Sequence, residues 1–80
     1  MNKHYLFEQA EGAIILDGFD DCLIGIAEEF GNGPRLIYSK DRIIHKLQED
    51  MTVEEAYEYY DYNILGGYFG EQGPVFYLNP

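Results

Sequence analysis

The chain has one cysteine, one serine and only five lysines and arginines among its 80 residues. The lone Cys22 rules out an internal disulfide and a cysteine-built zinc site, and it suits a reducing cytosol. Its neighbours Leu23 and Ile24 are apolar, and no cation adjoins it in sequence to lower its pKa, so it reads as a small buried side chain. No apolar run approaches the roughly 18 residues of a membrane helix. Residues 1–11 mix Lys3, His4, Glu8 and Glu11 with Tyr5, Leu6 and Phe7, which is not the pattern of a signal peptide. The expectation is one compact domain over residues 1–80. Such a chain buries only about 60% of its unfolded surface, so its core must be efficient. With 46% hydrophobic and 16% aromatic residues, it can be.

The scarcity of basic residues leaves a formal net charge of −10. Direct binding of nucleic acid wants a basic stripe, and anionic membrane wants the same, so neither is expected. A small, very acidic protein is instead attracted to surfaces built to hold DNA. Solubility is the bland alternative. The charges are also segregated. Arg35, Lys40, Arg42 and Lys46 form a basic segment, with seven acids before it and seven after it.

Turn signals divide the first half into strands. Ala13–Leu16 ends at Asp17-Gly18, Cys22–Phe30 ends at Gly31-Asn32-Gly33-Pro34, and Arg35–Tyr38 follows. These runs predict an antiparallel meander. A helix rivals the second strand, because Leu23, Ile26, Ala27 and Phe30 also fit helical spacing. Gly25 favours the strand. The second half reads as two helices. Ser39 caps the first, with Ile43, Ile44 and Leu47 inward. Thr52-Val53-Glu54-Glu55 is a capping box, with Met51 as its hydrophobic staple. Val53, Ala56, Tyr57, Tyr60 and Ile64 make one apolar face, and Gly66-Gly67 stops the helix. Val75–Leu78 predicts a last strand. The expected fold is α+β: a three- to four-stranded antiparallel sheet with two helices packed on one face.

The stretch Asp17-Gly18-Phe19-Asp20-Asp21 before an apolar strand resembles small bacteriophage-encoded proteins that carry no assigned activity. So do Glu54-Glu55-Ala56-Tyr57-Glu58-Tyr59-Tyr60, Asn63, Gly66, Gly70, Gly73-Pro74 and Val75-Phe76. The resemblance spans roughly residues 13–77 and implies a phage origin and the host-cell cytoplasm. It carries over no catalytic residue.

Three constellations compete for function. Glu54, Glu55, Glu58, Asp61, Tyr59 and Tyr62 combine carboxylates with rigid aromatic area, as a protein-binding surface does. Asp17, Asp20 and Asp21 form a second acidic patch. These features predict an accessory protein that binds a basic surface of a host protein and inhibits or redirects it, with exposed tyrosines as the bland alternative. Arg35, Lys40, Arg42 and Lys46 offer a second reading, a phosphate site in a protein that sequesters a nucleotide signal. The basic segment also fits a symmetric homodimer paired through opposite charge. The third reading is a metal-dependent enzyme built on the aspartates, whose spacing does not match a calcium-binding EF-hand loop. Ser39 is better used as a cap and His45 as a helix residue. No catalytic residue, cofactor or metal is expected.

Overall fold

Register in the central hairpin is set by two irregularities. In the computed structural model, which describes residues 3–67 and 70–79, β1 (Leu23–Glu29) and β2 (Asn32–Ser39) pair antiparallel around Phe30-Gly31. Leu23 faces Tyr38 and Gly25 faces Ile37, so Ile24 is the extra residue of a bulge. Strict alternation would send Leu23 and Ile26 to opposite faces. With one residue inserted between them, Leu23 is buried and Ile26 packs against the same core. The three-residue spacing that also fitted a helix is therefore the mark of a bulged strand. The second irregularity lies where Ala27 faces Arg35 and Glu29 faces Asn32. Its extra residue falls at Gly33-Pro34, where a proline without an N–H removes no ladder bond.

The fold is α+β, with a three-stranded sheet in the order β1-β2-β3. The sheet is mixed, which corrects the antiparallel expectation. β3 (Val75–Tyr77) runs parallel to β2, pairing Ile37 with Val75, Tyr38 with Phe76 and Ser39 with Tyr77. Between β2 and β3 the chain forms α2 (Lys40–Leu47), α3 (Val53–Tyr59) and a π-helical segment, Tyr60–Leu65. A crossover containing helices returns the chain to the same end of the sheet, which is the condition for parallel pairing.

Ala13–Leu16 is not a strand, a second correction. Its backbone is satisfied piecemeal. Ala13 N–H donates to Ala10 O at 2.9 Å and Ile14 N–H to Gln72 O at 3.0 Å. Leu16 N–H donates to the buried Tyr38 hydroxyl at 3.0 Å. An N-terminal helix absent from the sequence reading, α1 (Lys3–Gln9), directs Leu6 into the core. Its apolar signal covers barely one turn, which explains why periodicity missed it.

Gln72 joins three parts of the chain. Its side-chain amide donates to Pro34 O at 2.9 Å and to Glu11 O at 3.3 Å. A Cβ at Gly33 would overlap that amide, and one at Gly12 would lie 2.9 Å from its oxygen. Next to it, Arg35 Nε donates to Gly73 O at 2.8 Å. These bonds fix the start of β2 beside the segment that leads into β3.

The core gathers Leu6, Leu16, Leu23, Leu36, Tyr38, Ile43, Ile44, Ala56, Tyr60 and Ile64. Tyr38 and Tyr60 are its largest fully buried members. The Tyr60 ring meets Phe76 edge-on, with centroids 5.5 Å apart. Burial raises the pKa of both phenols, that of Tyr60 to about 12. The two hydroxyls differ in one respect. Tyr38 accepts from Leu16, whereas the Tyr60 hydroxyl has no hydrogen-bond partner among the described residues.

The same substitution should therefore act oppositely at the two sites. Tyr38→Phe leaves a buried amide unsatisfied and should lose about 1–3 kcal/mol in denaturant melts. Tyr60→Phe removes an unpartnered hydroxyl and should leave stability equal or higher. In the parent, the unfolded Tyr60 phenol ionises near pH 10 and the folded one only near 12. Its contribution is thus complete below pH 10 and is lost as pH rises through that window. Tyr60→Phe should gain on the parent there, and equal alkaline unfolding of the two proteins would refute this.

Candidate functional site

The helix carrying Glu54, Glu55, Glu58, Tyr59, Asp61 and Tyr62 begins at a formed capping box. Glu55 N–H donates to Thr52 Oγ1 at 3.2 Å, and Thr52 N–H donates back to Glu55 Oε1 at 3.0 Å. The hydrogen bond from the Thr52 backbone holds the Glu55 carboxyl below its ordinary pKa. The cap thus fixes where Glu55 stands on the first turn. After Tyr59 the helix widens. Gly66 N–H bonds Asp61 O at 3.0 Å, five residues back, as a π turn requires. Only glycine fits there, because a Cβ on Gly66 would lie 2.8 Å from the Asp61 carbonyl oxygen.

The buried stripe is narrower than the sequence pattern implied. Ala56, Tyr60 and Ile64 are buried, whereas Val53 and Tyr57 are exposed. Tyr57 serves another purpose. Lys40 Nζ lies 5.6 Å from its ring centroid and 5.0 Å from that of Tyr60. This cation–π contact ties the start of α2 to α3.

Four of the six residues expected to form the binding surface come together. Glu55, Glu58, Tyr59 and Tyr62 line a shallow groove of about 360 Å³ with Met51 and Asn63. The spacing explains the grouping, since residues three, four and seven apart share one helix face. Glu54 and Asp61 are exposed but do not line this groove. Tyr59 is 43% and Tyr62 77% exposed. Sequence reasoning gave Met51 only a packing role and gave Asn63 none at this site. The signal was present, because Met51 lies four residues before Glu55 and Asn63 four after Tyr59.

The other two constellations separate. Asp20 and Asp21 sit in a single 3-10 turn, Asp20–Cys22. Asp21 accepts from Lys46 at 3.0 Å, a bond that raises the pKa of the half-buried lysine. Among the described residues no three His, Cys, Asp or Glu side chains group as metal ligands would. The basic residues disperse as well. Arg35 bonds Gly73, Lys40 covers the two tyrosine rings, and Lys46 pairs with Asp21. Arg42 and Lys46 share a groove with Cys22 and His45, but Asp21, Asp41 and Glu49 line it too. Three carboxylates there outnumber two cations, and the four cations form no common phosphate site. Cys22 is 1% exposed, in keeping with a packing role.

The sequence reading also passed over Phe30. It lies fully exposed at the hairpin tip, bordering a depression formed with Gln9, Glu28, Glu29, Asn32 and Pro34. No helix among the described residues is long and apolar enough to cross a membrane. Comparison with protein-family models, with curated proteins and with solved structures finds no match.

Two substitutions test the local construction of this site. Thr52→Ala removes the acceptor for Glu55 N–H and should lower stability by about 1 kcal/mol. Gly66→Ala forces the π turn apart and should lower it by about 1–3 kcal/mol. Denaturant midpoints equal to the parent's would mean that the helix starts or ends elsewhere.

Proposed function

We propose that this protein is a small binding module that docks its acidic, tyrosine-bearing helix on a basic surface of another protein and blocks it. The observation that carries this reading is the groove in which Glu55, Glu58, Tyr59 and Tyr62 share one exposed face. Carboxylates there provide steering, and partly exposed rings provide apolar area that a partner can cover. In this reading α2 and α3 lie together on one face of the sheet, leaving the groove outward. The net charge of −10 directs the module toward a surface of opposite sign, such as a groove that normally holds nucleic acid. The resemblance to phage-encoded proteins makes a host protein the partner and the host cytoplasm the setting, with inhibition or redirection as the outcome. Binding, not catalysis, is the proposed activity. The dispersal of Arg35, Lys40, Arg42 and Lys46 favours this reading over sequestration of a nucleotide.

Kinetics against the host protein recovered by affinity capture test the proposal. Converting Glu54, Glu55, Glu58 and Asp61 to their amides should slow association about tenfold at low salt. The difference should shrink as salt screens the charges. Tyr59→Ala with Tyr62→Ala should instead speed dissociation, because covered aromatic anchors set residence time. An amide variant that binds like the parent at every salt concentration would reduce the acidic helix to a solvated face.

A further inference from the structure

The helix already holds one cation between two tyrosines. Lys40 lies over Tyr57 and Tyr60, at 5.6 and 5.0 Å from their centroids. Those tyrosines are three residues apart. Tyr59 and Tyr62 repeat the spacing two residues further along, so they look out from a different side of the helix. Both rings are partly or largely exposed, and Glu55, Glu58, Met51 and Asn63 complete their groove. Among the described residues, no Lys, Arg or His lines it. The second tyrosine pair therefore has the rings, and two carboxylates besides, without a cation among the described lining residues.

Building on the docking reading above, we propose that this groove is a clamp for one arginine side chain projecting from a basic segment of the partner protein. A guanidinium is planar and carries its donors in a fork, so it can stack on a ring and bond a carboxylate together. An ammonium ion is a compact point charge with no planar face to stack and no fixed fork to match a carboxylate. Glu55 commits Oε1 to the Thr52 amide. Glu58 is thus the principal carboxylate for the guanidinium, and Tyr59 and Tyr62 supply the faces. The charge complementarity is strong, with a net −10 on the chain. Glu54 and Asp61, exposed but outside the lining, attract the basic segment without touching the clamped residue.

The test uses the full chain and a short peptide of alternating lysine and glycine with one central arginine. Two companion peptides carry citrulline or lysine at the centre. Binding is followed at low salt through the tyrosine ring resonances in NMR spectra. The arginine peptide should shift the Tyr59 and Tyr62 rings and leave Tyr57 unmoved. Citrulline, neutral but of the same shape, should weaken binding about fivefold or more, and lysine about threefold. Glu58→Gln should erase most of the preference for arginine over citrulline, whereas Glu54→Gln should weaken all three peptides alike. Equal affinity for arginine and citrulline, or for arginine and lysine, would overturn the clamp, as would unmoved Tyr59 and Tyr62 rings. If binding in those cases still falls with salt and with Glu54→Gln, the acidic docking face survives without it. Absence of binding by every basic peptide would overturn both.

Discussion

One side-chain amide holds the two ends of this fold together. The Gln72 side chain donates to carbonyls of residues 11 and 34, and its backbone carbonyl accepts from Ile14 N–H. The N-terminal loop, the start of β2 and the approach to β3 meet at this point. Without it, a three-residue strand would find its register on β2 through three pairings, helped by the Arg35–Gly73 bond and the packing of Phe76 on Tyr60. A short parallel strand needs such an anchor, because each of its backbone bonds contributes little net stability. Gly12 and Gly33 give the amide room, so two positions distant in sequence are constrained by a third.

The helices α2 and α3 and their caps were legible because their signals are local. Ser39, Thr52 and Glu55 each act within three residues, and the structure forms their bonds as the sequence spells them. The hairpin was legible too, though its bulge at Ile24 imitated a helix. What escaped is what depends on distant partners. Leu16 sits on an apolar run that reads as a strand, yet its amide is satisfied by a tyrosine hydroxyl 22 residues away. The parallel direction of β3 follows from how the crossover is routed, which no residue in Val75–Tyr77 encodes. Of the candidate binding surface, Glu55, Glu58, Tyr59 and Tyr62 line one groove, as their helical spacing requires. Glu54 and Asp61 carry the same charge but lie outside that lining.

Tyrosine is used here in three physically distinct ways. Tyr38 is a core residue whose hydroxyl replaces a backbone acceptor. Tyr60 is a core residue chosen for its ring, which packs on Phe76 and underlies Lys40. Tyr59 and Tyr62 present their rings outward beside carboxylates. A small domain with few basic residues gains cohesion and contact area from one side-chain type. Composition alone counts these residues as equivalent.

The wide turn at Tyr60–Leu65 acts as a phase shift in the helix. In a uniform α-helix each residue turns the chain by about 100°, so a single added or removed residue re-aims everything beyond it. Met51, Glu55, Glu58 and Tyr59 lie ahead of the shift, and Tyr62 and Asn63 lie within it. The two halves of the groove share the three-, four- and seven-residue spacing of one helix face, a register that depends on the number of residues inside this segment. Removing one residue from this segment would preserve nearly the whole composition of the groove and yet swing its far wall to another side of the helix.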